Sequence, residues 1–170
     1  TGENFIPEEP QIRPAVRQFF VPGYVKQIFV FIMQYPEMVE RMHLREGHKY
    51  LTQPGLIAFF LSLYREVEGG RTPNVDRILT GLEDVETVAF LRGLQSLPLV
   101  VEPERVQEAF DDAMSRLERG ALEAQRARLN REIQAAFSVD PDRCAELSEE
   151  LSRVRAELNR LNAGEAEGAG

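Results

Sequence analysis

This chain has very little of what most chemistry needs. Its 170 residues include one cysteine, Cys144, and two histidines, His43 and His48. A single cysteine excludes an intrachain disulfide framework and fits a reducing cytoplasm. The two histidines stand five apart, without the Cys-x2-Cys or His-x3-His spacing of a zinc site. No metal or other cofactor is expected. Gly69-Gly70 has neither the lysine nor the preceding strand of a phosphate loop. No serine, nor the cysteine, is accompanied by a base in a recognisable arrangement. The carboxylate pairs Asp111-Asp112 and Glu149-Glu150 fall on helix faces expected to be solvated, so a catalytic carboxylate pair is not assigned.

Long apolar runs are missing too. The longest cluster, Ile28 to Met33, is far too short to cross a bilayer, and no signal peptide is expected. Basic excess is absent, since the net charge is -8, and this argues against a general nucleic-acid binder. The Phe19-Phe20 and Phe59-Phe60 pairs are read as core rather than as base-stacking platforms. Lysine is scarce, with only Lys26 and Lys49, and the arginine bias fits a GC-rich genome. The first residue is Thr1 rather than methionine, and a fragment of a longer chain is expected.

What remains is helix. With 43% apolar residues the chain has enough for a sizeable core. No series of alternating strands is found. Residues 1–12 read as a linker. A short helix is expected over Pro14 to Phe20. Tyr24 to Gln34 follows, apolar almost all round and therefore the central buried helix. Pro36 to Met42 makes another, and His43 to Tyr50 reads as a loop. Thr52 is the expected cap of a helix to Glu68, which Gly69-Gly70 ends. A short helix after Thr72-Pro73 turns Val75, Ile78, Leu79 and Leu82 inward. One from about Glu83 to Gln95 uses Val85, Val88, Ala89 and Leu91. Residues 13–101 thus form a helical bundle subdomain.

Residues 102–162 read as a helical hairpin subdomain. The first long helix spans about Pro103 to Ala136. Its inward residues are Val106, Phe110, Met114 and Leu117, then Leu122, Leu129, Ile133 and Phe137. Gly120 marks the change of phase, either as a hinge or as a small residue for close packing. At the tip, Asp140 caps the last helix and Pro141 takes its first position. That helix carries Leu147, Leu151, Val154, Leu158 and Leu161 in a 4-3-4-3 spacing, one narrow seam. Arg116, Arg119, Arg126, Arg128 and Arg131 make the first arm basic. Glu146, Glu149 and Glu150 make the second acidic, so complementary flanks are expected. Residues 163–170 read as a disordered tail. The fold class is all-α: a bundle of five or six helices, then a long hairpin.

Three stretches resemble the C-terminal helicase-interaction domain of bacterial DNA primase. Val25 to Met42 is similar to that family's apolar helix ending in a Pro-Glu turn, here Tyr35-Pro36-Glu37. Leu56 to Glu68 closes with Gly69-Gly70, followed by Pro73 and a short leucine-bearing helix. Arg126 to Phe137 and Leu147 to Leu161 resemble its arginine-, glutamate- and leucine-rich ending. The resemblance covers roughly Tyr24 to Asn162 and rests on patterns of residue class. It implies docking of primase onto the N-terminal domains of the hexameric replicative helicase. The hairpin would supply the affinity and the bundle would modulate the helicase. Primase's zinc-binding domain and polymerase core have no counterpart here, so no primer synthesis is expected. Neither direct nucleic-acid binding nor membrane binding is expected, and the chain would be a monomer or weak dimer.

The helicase's own N-terminal domain has a similar order of pieces and is the competing resemblance. A helical adaptor or coiled-coil dimerisation module is the third reading. Helix-in-groove recognition works through anchors at i, i+3, i+4 and i+7. Leu147 and Leu151 are assigned to the internal seam. Val154, Leu158 and Leu161 are candidate partner anchors, Leu158 and Leu161 with a share in the seam. Arg153, Arg155 and Arg160 are the candidate rim.

Overall fold

The computed structural model describes residues 19–98 and 100–168. Within them the chain is all-α, with seven α-helices and no strand. The expected linker, residues 1–12, lies outside the described residues, as does most of the expected Pro14 to Phe20 helix. Phe19 and Phe20 themselves are not helical. No helix of the described residues is long and apolar enough to cross a membrane.

Helix α1, Gly23–Gln34, buries Val25, Ile28, Phe29, Val30, Phe31 and Ile32, and so is enclosed nearly all round. Pro36 at the first position starts α2, Pro36–Leu44, because that position needs no N–H. The expected loop from His43 is in fact the end of α2, followed by a 3-10 turn over Gly47–Tyr50. The helix runs two residues beyond Met42, and the Arg45 N–H closes it on the Arg41 carbonyl (3.2 Å). Helix α3, Pro54–Glu68, buries Leu56, Phe59, Phe60 and Leu63. Thr52 does not cap it. Gln53 holds the cap position without a side-chain bond, since Pro54 leaves one orphan donor fewer. At its far end Gly70 adopts φ +72°, and the Arg71 N–H donates to the Glu66 carbonyl (2.9 Å).

Helix α4, Val75–Thr80, is capped by Asn74 and buries Leu79. Helix α5, Val85–Gln95, keeps Leu91 inward and Val88 half-buried as expected, but its other buried residues are Thr87 and Leu94. Val85 and Ala89 face solvent. The cause is the cap. Asp84 accepts from the Glu86 and Thr87 N–H groups and from the Thr87 hydroxyl (2.6 Å). A satisfied hydroxyl is cheap to bury, so Thr87 takes the inward position. Phe59 and Phe60 are core as expected. Phe20 is not: it is exposed, while its neighbour Phe19 packs at a tilt against Phe90 (ring centroids 4.7 Å apart).

A 3-10 turn at Pro103–Arg105 leads into α6, Val106–Ala136, and α7 spans Pro141–Gly168. At 1.5 Å per residue α6 is about 45 Å long. Its first half belongs to the bundle through Val106, Phe110, Ala113, Met114 and Leu117. Its second half pairs with α7 in a separate core of Leu122, Leu129, Leu147, Leu151, Val154 and Leu158. The expected disordered tail is instead helical through Gly168; residues 169–170 lie outside the described residues. Alanine and glutamate propagate the helix, and Glu165 pairs with Arg119 on α6.

Candidate functional site: the C-terminal hairpin

Seam, tip, flanks and root of the hairpin differ in chemistry. The seam follows from spacing: Leu122 and Leu129 of α6 face Leu147, Leu151, Val154 and Leu158 of α7, with Ile133 and Leu161 at the margins. Val154 and Leu158, candidate partner anchors in the sequence, are therefore internal. Leu161 is half-buried. A narrow stripe on each arm suffices to cover the other, which leaves Leu161 as the partly open end of the α7 seam.

The tip reverses one expectation. Phe137 does not continue the inward set; it is 76% exposed, and Val139 is 81% exposed. The Val139 and Asp140 N–H groups both donate to the Ala136 carbonyl (3.1 and 2.9 Å), which tightens the turn beyond α6. Phe137 itself keeps helical dihedrals (φ -52°, ψ -39°), and Ala136 packs on the seam after Ile133, so the ring falls on the outer face. Asp140 accepts from the Arg143 N–H (3.0 Å) and so caps α7, with Pro141 first, as the sequence indicated.

Complementary pairs join the arms at Arg119 and Glu165 near the root and along one flank toward the tip. Gln125 donates to Glu150 (3.0 Å), Arg128 lies 4.0 Å from Glu150, and Arg143 of α7 lies 3.9 Å from Glu132 of α6. Exposed pairs of this kind contribute little each, about 0–1 kcal/mol, but they set the register of the arms. On the other side Arg126 and Arg155 flank a cleft with no carboxylate within 4.0 Å of either among the described residues. Arg153 is also exposed.

The root is a charge network. Glu118, only 13% exposed, accepts from the Tyr50 hydroxyl (3.2 Å) and lies 3.7 Å from both Arg45 and Arg160. Burial, then the Glu118 charge, raises the Tyr50 pKa above its ordinary value. Arg160 also bonds Glu157 (2.5 Å), which holds that carboxyl below the usual range. Arg160, a candidate rim contact, thus ties α7 to Glu118 of α6 while its side chain stays 64% exposed. Nearby, Arg41 chelates Asp111 through two bonds (2.6 and 2.5 Å), so of the Asp111-Asp112 pair only Asp112 is a solvated surface acid.

Gly120 lies between the two cores, and α6 runs through it as a continuous helix. A Cβ there would lie 2.7 Å from the Tyr24 hydroxyl oxygen, so close packing accounts for the glycine.

The two histidines are not in a loop. His43 stacks on Tyr64 (3.7 Å between centroids) and His48 on Phe60 (5.6 Å), both within the bundle. Cys144 sits in the first turn of α7, free and half-buried. No protein-family model, curated protein or solved structure matches the chain.

Proposed function

We propose that this chain is the helicase-interaction domain of bacterial DNA primase, holding primase on the N-terminal domains of the hexameric replicative helicase in the cytoplasm. The resemblance of Tyr24 to Asn162 motivates the reading. The observation that carries it is a hairpin with its own core whose tip presents Phe137 and Val139 to solvent. A large ring held at the end of a two-helix arm is costly to leave wet and well suited to fill a partner's pocket. The hairpin is then the docking arm, the bundle its base and the modulator of helicase activity, and the fragment makes no primer alone.

The placement of the seam changes which residues test the proposal. Leu158→Asp would bury a charge in the hairpin and unfold it. Phe137→Ser with Val139→Ser leaves the seam intact. Calorimetric titration against the helicase N-terminal domain should show at least tenfold weaker binding, with an unchanged circular dichroism spectrum. Undiminished affinity would refute docking through the tip.

The leucine seam of α7 is already covered by α6, so no stripe is left over for a coiled-coil partner. Sedimentation should accordingly show a monomer or a weak dimer. A strong dimer that dissociates in the tip variant would favour the dimerisation module.

A further inference from the structure

The arginines of the hairpin are not used alike. Arg119, Arg128, Arg143 and Arg160 each have a carboxylate within 4.0 Å. Arg126, Arg131, Arg153 and Arg155 have none among the described residues. Of these four, only Arg126 and Arg155 come from opposite helices to line one cleft, of about 270 Å³, together with Leu158, Asn159, Asn162 and Glu123. Glu123 is the sole acid on it and pairs with neither arginine.

Arg126 is also out of place in the apolar pattern. Leu122, Arg126, Leu129 and Ile133 follow one another at 4-3-4 spacing, so Arg126 holds a seam position that α7 fills with leucine or valine at every step. Leucine there would extend the hairpin core. Arginine instead leans out of the seam, exposed, beside Arg155. Two guanidinium groups facing one cleft repel each other, and neither is neutralised by an ion pair with Glu123.

We propose that this cleft binds the carboxylates of an acidic peptide segment. The guanidinium fork matches a carboxylate through two parallel bonds, and the Asn159 and Asn162 amides supply donors and acceptors for a peptide backbone. Leu158 offers an apolar floor to the stem of a glutamate side chain. A polyphosphate chain is the poorer fit. Nucleic acid would lay dense negative charge along a protein of net charge -8, whereas a short acidic segment brings only a few carboxylates to the cleft. The site stands on its own geometry and needs no assignment of the chain's partner.

The test is NMR titration of the full chain with a blocked tetraglutamate peptide. Inorganic phosphate and a short single-stranded oligonucleotide serve as competing probes. The peptide should move the guanidinium resonances of Arg126 and Arg155 and the amide resonances of Asn159 and Asn162. Arg126→Gln with Arg155→Gln should weaken binding at least tenfold, while Arg131→Gln, which removes one charge from α6 outside the cleft, should change it less than twofold. Equal loss in Arg131→Gln, unchanged binding in the double variant, or tighter binding of phosphate or the oligonucleotide would each overturn the proposal. Loss of the peptide with full affinity for the helicase domain would uphold the cleft and separate it from docking. Retained peptide binding in the double variant would overturn the cleft and leave docking through the tip untouched.

Discussion

The bundle and the hairpin solve the burial problem differently. The bundle encloses aromatic rings, with Phe29, Phe31, Phe59, Phe60 and Phe110 fully buried. The hairpin core holds only leucine and valine, and its one aromatic residue, Phe137, is outside. A ring needs neighbours on several sides. Several helices provide them, but two helices meet along a line wide enough for only one row of branched side chains. The bundle therefore has one enclosed interior, and the hairpin keeps a dry seam with wet flanks. Glu118 and Gly120 mark the boundary, where α6 passes from one regime to the other.

This contrast has measurable consequences, and the largest lies in the bundle. Phe59→Ala should cost about 3–5 kcal/mol in denaturant unfolding, because the ring is enclosed and its space collapses poorly. Leu151→Ala in the hairpin should cost less, about 2–3 kcal/mol, since solvent lies close on both sides. Its effect on hydrogen exchange should be confined to Leu122 through Leu161. Equal loss of protection in α1 and α3 would show the two cores to be one cooperative unit.

At the boundary, Gly120→Ala gains helix propensity of about 1 kcal/mol but drives a methyl group against the Tyr24 hydroxyl. The net expected effect is destabilisation by about 1 kcal/mol, reversed to stabilisation when Tyr24→Phe removes the hydroxyl oxygen. A destabilisation that persists without that oxygen would mean the glycine serves bending.

The smallest effects concern acid. The Asp84 carboxyl is held below its usual range chiefly by the Thr87 hydroxyl, and Glu66 chiefly by Arg71. Both lie in the bundle; Glu157, held down by Arg160, lies in the hairpin. A lowered folded pKa stabilises the fold above the unfolded value, about 4 for a carboxyl, and that contribution disappears as pH falls through the lowered value. Both regions should thus weaken in acid. Asp84→Asn keeps a capping oxygen that does not titrate, so its melting temperature should fall less between neutral and acid pH than that of the unsubstituted chain. An identical fall would remove Asp84 from the account.

Much of this was legible from residue type and spacing. The helical class, the hairpin, its tip at Asp140-Pro141 and the inward leucines from Leu122 to Leu151 follow from periodicity and capping chemistry, both local. Elsewhere the local pattern pointed the wrong way. Val85 and Ala89 looked inward until the Asp84 cap satisfied Thr87 and turned the helix. His43 looked like loop because its polar neighbours, Arg41 and Arg45, have their carboxylate partners some seventy residues away, in Asp111 and Glu118. Phe137 looked inward because Leu129, Ile133 and Phe137 step by four, but each such step drifts about 40° round the helix, and Ala136 holds the seam instead.

The sequence alone determined that this protein is helical, and that its last two helices would cover each other. Apolar period and end caps act within a few residues, so they need no knowledge of the fold. Only the tertiary structure decided what the seam leaves over. Val154 and Leu158 went inside because α6 lies against them, and Arg160 went to the root because Glu118 waits there. Phe137, Val139 and the Arg126–Arg155 cleft stayed in solvent because no other part of the described chain covers them.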